Sequence, residues 1–295
     1  MNSLIEQAAL RLEQLRQAGV DIPAEPSAAK AASTEAQASP EKPVALSQWV
    51  EIDLDALAAA GIVSPNAPRS QIADQFRVIK RPLISNAAGK GAAVVANGNL
   101  IMVTSALPGE GKSFTAINLA MSMATELDLT VLLVDADVGR PSVMKLLGLP
   151  AGPGLLDLVV DESRELSEML LKTNINKLTI LPSGTPHPRA TELLASDAMT
   201  RLISDMATRY ADRLIIFDSP PLLLATESRV LASHMGQIVM VVQAEKTLQS
   251  EVLQALATIE RCPVKLMLLN QAKTMVNGGY EDGYGYGYGY RNQVA

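Results

Sequence analysis

"ALPGEGKS" (residues 106–113) follows the apolar run "NLIMVTS" (98–104) and opens a stretch of helix length. A phosphate-binding loop reads G-x-x-x-x-G-K-[ST] between a strand and a helix. Ala106 stands in for the first glycine, while Gly111, Lys112 and Ser113 fit the pattern. The physical logic survives that change. Gly109 and Gly111 let successive backbone N–H groups crowd around phosphate oxygens. The helix start behind them adds its partial positive charge. Lys112 reaches the phosphates and the Ser113 hydroxyl faces a magnesium ion. A plain glycine turn between strand and helix is the competing reading, and the strand–loop–helix context speaks against it.

Two more stretches work outward from this one. "VLLVDADVGRP" (131–141) ends an apolar run in Asp135 and Asp137, and "LIIFDSPP" (214–221) ends another in Asp218. Carboxylates at strand ends beside such a loop point into the crevice where ligands bind. Mg²⁺ takes carboxylates, water and phosphate oxygens. Further apolar runs lie at 177–182, 237–242 and 264–269, most of them separated by helix-length stretches. Runs that are apolar throughout suggest strands covered on both faces. The expected fold is therefore α/β, a mostly parallel P-loop NTPase-like sheet flanked by helices.

Upstream, residues 1–20 repeat Leu4, Ile5, Ala8, Leu12 and Leu15 at helical spacing, and Gly19 ends the pattern. Residues 21–45 are rich in Ala, Pro, Ser and Glu and read as a flexible linker. Residues 46–97 read as a helical extension. Its clearest helix is "SQIADQFRVIKRPLIS" (70–85), with Ile72, Phe76 and Ile79 on one stripe. Asp74, Arg77, Lys80 and Arg81 are read onto the other face, and Pro82 is expected to end or kink it. Residues 98–275 form the expected core, and 276–295 a tail in which "YEDGYGYGYGY" (280–290) holds five of the chain's six tyrosines.

Composition bounds the function. The formal net charge of −6 argues against nonspecific nucleic-acid binding. One cysteine, Cys262, excludes an internal disulfide and fits a reducing compartment. His187 and His234 are not spaced as metal ligands. With no apolar run near 18 residues and no signal-peptide pattern, the expected location is the cytoplasm.

Taken together, these motifs resemble the bacterial tyrosine kinases. "LPGEGKS" looks like that family's Walker A, "VLLVDADVGRP" its Walker A′ and "LIIFDSPP" its Walker B. "LPSGTPHPRATELLAS" (181–196) matches the segment between A′ and B. "DQFRVIK" (74–80) resembles the E-x-x-R-x-x-[RK] helix used for subunit contact, with Asp74 for the usual Glu. The A′ pattern D-x-D-x-R also departs here, since Gly139 holds the arginine's place and Arg140 comes one later. The start of the chain is most similar to soluble exosortase-associated tyrosine autokinases of exopolysaccharide loci. A ParA/MinD-type ATPase is the alternative, but Leu107 stands where those proteins carry a signature lysine. A nonenzymatic nucleotide-binding adaptor is the third reading.

The resemblance implies an ATP- and Mg²⁺-dependent autokinase whose substrates are Tyr280, Tyr284, Tyr286, Tyr288 and Tyr290. Pro108, Gly109, Glu110, Gly111, Lys112, Ser113, Phe114 and Asn270 would bind ATP. Asn270 is either an adenine reader or a strand-end turn residue. Ser113, Asp135 and Asp218 would hold the metal ion. Lys112 and the three aspartates form the catalytic set, with Asp137 as the base that meets the tyrosine hydroxyl and Asp135 the alternative. Asp74, Arg77 and Lys80 would join subunits of a ring-like homo-oligomer. A separate membrane protein controlling polysaccharide chain length would activate the kinase and tether it peripherally to the membrane. A phosphotyrosine phosphatase would reverse it. The N-terminal helix docks either on that partner or on its own core.

Overall fold

The computed structural model describes residues 48–65, 70–91, 93–210 and 212–273. The expected helix and linker over 1–20 and 21–45, and the tail from 276, lie outside the described residues.

In chain order the elements begin with β1 (Gln48–Val50), α1 (Leu54–Ala59), α2 (Gln71–Ala87), β2 (Leu100–Ser105) and α3 (Lys112–Ala124). Then come β3 (Thr130–Asp135), α4 (Val143–Leu146), α5 (Leu155–Val160), α6 (Leu166–Met169), β4 (Leu171–Thr173) and β5 (Leu178–Leu181). The chain continues through α7 (Ala190–Leu194), α8 (Asp197–Arg209), β6 (Arg213–Asp218) and α9 (Thr226–Ala232). It ends with β7 (Gln237–Gln243), α10 (Gln249–Ala257) and β8 (Val264–Asn270).

The strands form one sheet in the order β1-β4-β5-β3-β6-β2-β7-β8. From β5 to β8 every pairing is parallel, and β4 meets β5 antiparallel. Alternate side chains of one strand feed two cores, as period-two geometry requires. Leu100, Met102, Leu132 and Val134 enter one core, with Met199, Ile203 and Met206 of α8. Ile101, Val103, Val131 and Leu133 enter the other, with Phe76 and Leu83 of α2 and Ile117 and Met121 of α3. This double burial is why the strands read as unbroken apolar runs.

Three local expectations change. The 46–97 extension is not purely helical, because β1 pairs in parallel with β4. Neither three-residue strand carries an apolar run long enough to announce itself. Pro82 lies inside α2, which continues to Ala87. The bond it removes would have gone to the Val78 carbonyl, four residues back. Val78 is 73% exposed, so water can serve that oxygen. Lys80 does not share the outer face with Asp74, Arg77 and Arg81, because its side chain is buried.

The β8 strand is parallel to β7, so the chain leaves the sheet at the rim where the carboxylates of β3 and β6 end. Among the described residues, no helix is long and apolar enough to cross a membrane.

Candidate active site

The loop between β2 and α3 takes its shape from two glycines in the left-handed region, Gly109 (φ 86°) and Gly111 (φ 94°). A side chain at Gly111 would also strike the Asn270 amide. Glu110 is buried beneath the loop. Its carboxylate accepts the Leu107 N–H at 2.8 Å and the Thr247 hydroxyl. The end of β8 grips the loop from outside. Asn270 Nδ2 donates to the Glu110 carbonyl at 2.9 Å, and Gln271 Nε2 donates to the Gly109 carbonyl at 3.2 Å. The loop is therefore held in shape before any phosphate arrives.

Around Lys112 the three aspartates converge. Asp135 and Asp218 are register partners at the ends of adjacent parallel strands. Lys112 Nζ lies 2.6 Å from Asp137 Oδ2 and 4.0 Å from Asp218 Oδ1. Asp137 Oδ1 accepts the Arg140 N–H at 3.2 Å. Asp135 Oδ2 accepts the Val143 N–H at 3.1 Å. Asp135 Oδ1 and both oxygens of Asp218 have no hydrogen-bond partner among the described residues. Burial, reinforced by the charge of Asp218, pushes the Asp135 carboxyl up to about 7. Burial pushes Asp218 up to about 6, with the Lys112 charge pulling the other way. Burial also weakens the Lys112 ammonium, but Asp218 and Asp137 outweigh that and raise it above an ordinary lysine.

Orphaned carboxylate oxygens of this kind suit a cation. Among the described residues no group of three or more His, Cys, Asp and Glu could by itself hold a metal. A cation here would draw on few protein oxygens and complete its shell with water and phosphate. That is the habit of Mg²⁺. The Ser113 hydroxyl accepts from Ser142 Oγ at 2.7 Å, beside the same cluster.

A cavity of about 430 Å³ opens over this cluster, with Gly109, Lys112, Asp137, Arg140, Leu224 and Glu227 among its walls. Asp137 faces it and Asp135 does not. Phe114 instead packs against the core on the α2 side of the sheet. Sequence reading missed Ser142, Thr247 and Gln271. Each sits in a loop, and its partner lies at least 29 residues away. No local pattern could have found them.

Of the residues expected to contact a neighbouring subunit, Asp74 and Arg77 pair with each other on the exposed face of α2. Lys80 turns inward. Its Nζ donates to the Ser122 carbonyl and to Thr125 Oγ1 at 3.2 Å, and it meets Glu126 Oε1 at 2.8 Å. It closes the C-terminal end of α3 and joins that helix to α2.

The family model described as an AAA domain matches residues 98–271. The tyrosine-protein kinase YwqD of Bacillus subtilis is 31% identical over 221 residues, covering 74% of this chain and 89% of that protein. The tyrosine-protein kinase Wzc of Salmonella typhimurium is 30% identical over 195 residues, 65% of this chain but 27% of Wzc. The crystal structure of the chimerical protein CapA2B2 superposes with a TM-score of 0.59 at 28% identity, covering 76% of this chain and 95% of that one.

Proposed function

The chain belongs to the bacterial tyrosine-protein kinases, and from that premise we propose that it phosphorylates its own C-terminal cluster, Tyr280, Tyr284, Tyr286, Tyr288 and Tyr290, within a homo-oligomer. The observation that carries this reading is the site itself. A preshaped phosphate loop faces a lysine and three aspartates, and the chain leaves the sheet on the same rim. From Asn270 to Tyr280 is ten residues, at most roughly 35 Å when extended. The tail can therefore reach its own cavity or a neighbour's.

The work is mostly positioning and charge neutralisation. ATP would lay its phosphates on the amides of Gly109 to Ser113, with Lys112 giving up Asp137 for phosphate oxygens. Mg²⁺, held by Ser113, Asp135 and Asp218 directly or through water, would neutralise charge on the phosphates. The base is Asp137, supported by its place on the cavity wall and by its release once Lys112 turns to phosphate. It would accept the tyrosine proton as the hydroxyl oxygen attacks the γ-phosphorus of ATP, while the bond to the bridging oxygen breaks and ADP leaves. Asn270 would read the adenine, supported by its position against the loop.

The wider role is regulation of exopolysaccharide synthesis and export, with activation by a separate membrane-bound chain-length protein and reversal by a phosphatase. The apolar periodicity of residues 1–20 supports an attachment arm for such a partner. The exposed Asp74 and Arg77 support α2 as a subunit-contact face.

Purified protein incubated with ATP and Mg²⁺ should gain phosphate on residues 280–290, read by intact mass and site mapping. A Lys112→Met chain mixed with active chain should be phosphorylated too. Phosphate confined to the active chain would overturn transfer between neighbours. Absence of phosphotyrosine, with and without a membrane partner, would overturn the autokinase reading.

A further inference from the structure

A second cavity, of about 500 Å³, lies on the other side of the phosphate loop, between α2 and β8. Its walls are mostly apolar, with Phe76, Ile79, Phe114, Leu266 and Leu268 among them and Gln75, Asn270 and Gln271 as polar members. β8 pairs only with β7, so its outer edge is unpaired among the described residues. Met267 and Leu269 on that strand are 49% and 65% exposed, and Val78 on the opposing wall is 73% exposed. An open seven-residue edge beside an apolar groove is a surface that proteins ordinarily cover.

The course of the chain indicates which segment covers it. The groove floor ends in Asn270, Gln271 and Ala272, and the chain passes beyond the described residues just after Lys273. Twenty-two residues follow Lys273. Residues 1–47 precede β1, which forms the opposite edge of the sheet. In the tail, Tyr284, Tyr286, Tyr288 and Tyr290 alternate with glycine. In an extended chain that period puts every tyrosine on one face and leaves the other bare. Residues 284–290 are seven in number and so are those of β8, so both span roughly 23 Å. The ten residues 274–283 are enough to reverse the chain, and they include Asn277-Gly278, a favoured reversing pair.

We propose that the unphosphorylated tail folds back along β8 and lays its tyrosines into the α2–β8 groove of its own chain. Tethering gives it an effective concentration in the millimolar range, which a free peptide lacks. A phosphotyrosine carries about −1.5 to −2 charges, and burying it against Phe76, Ile79 and Leu268 would cost its solvation without a cationic partner. Phosphorylation therefore releases the tail. The docking does not depend on the tail being a substrate, whereas its release by phosphorylation rests on the autokinase reading above.

Hydrogen exchange on full-length protein tests this. In unphosphorylated Lys112→Met chain, amides of 264–270 and 71–83 should exchange about tenfold more slowly than in the same chain with all five tail tyrosines changed to Ser. Equal exchange overturns the proposal. Protection should persist on hundredfold dilution; protection lost on dilution assigns the groove to a second copy and overturns the own-chain occupant. Val78→Glu, at an exposed wall position, should abolish protection, and protection that survives it places the tyrosines elsewhere and overturns the groove. Stoichiometric tail phosphorylation should match the Tyr→Ser exchange, and protection that persists overturns the release step. If no phosphate can be introduced by the chain itself, the autokinase reading fails while the docking result stands.

Discussion

A lysine lies at each end of helix α3, Lys80 from α2 and Lys112 from α3 itself, and the two are held in opposite ways. At its C-terminal end Lys80 meets a backbone carbonyl, a threonine hydroxyl and a glutamate, with a side chain 4% exposed. The helix dipole favours a cation there. At the N-terminal end Lys112 sits where the dipole disfavours a cation, held by Asp137 at 2.6 Å and by Ser113 Oγ at 3.4 Å, beside Asp218 and Asp135, whose oxygens are largely without hydrogen bonds. A charge placed with the local field closes a structure. A charge placed against it, among unsatisfied groups, waits for a ligand.

Three outcomes would sharpen or break this contrast. The largest effect belongs to Lys112→Met. Phosphoryl transfer should fall by about 10²–10³-fold, the loss typical of removing one preorganised stabilising group. The fold should persist by circular dichroism, and transfer that survived would dissolve the contrast. Next, Lys80→Met should cost about 2–3 kcal/mol of unfolding free energy, since it removes the buried ammonium from the Ser122 carbonyl and the nearer cation from Glu126, leaving them only Thr125 Oγ1 and the more distant Arg81. Denaturant midpoints at constant slope would measure this. An unchanged midpoint would mean that Lys80 is not a strut.

The smallest effect is the pH dependence. Asp135 at about 7 and Asp218 at about 6 both lie above the ordinary value of 3.8. The folded chain then holds protons that the unfolded chain releases. Their contribution to stability is full below the unfolded value and is lost as pH rises through the folded ones. In metal-free buffer, raising pH from about 5 to about 8 should lower the melting temperature. Asp218→Asn should flatten that slope. A parallel slope in the variant would show that these carboxylates are not the groups responsible.

The two ends of α3 also differ in how far they could be read from sequence. Lys112 belongs to a local pattern in which residues a few positions apart perform one task, so eight letters were enough. Asp135 and Asp218 were legible for the same reason, since each ends an apolar strand. Lys80 was misread. Its helical position was right, but which side of α2 faces α3 depends on Ser122 and Glu126, more than 40 residues on. β1 and β4 escaped notice because three residues carry too little period to register.

The sequence by itself determined the kind of molecule. Apolar runs ending in Asp135 and Asp218, beside a glycine loop that ends in Lys112 and Ser113, specify a parallel sheet with a phosphate site at its rim. The pattern is local because backbone geometry is local. Only the tertiary structure decided which side chains are satisfied. It joined Lys80 to the end of α3, buried Asp218 with Lys112 4.0 Å away as its counter-charge, and opened a groove where β8 meets α2. Those facts depend on burial and on contacts between residues far apart in the chain. No stretch of sequence contains both halves of such a contact.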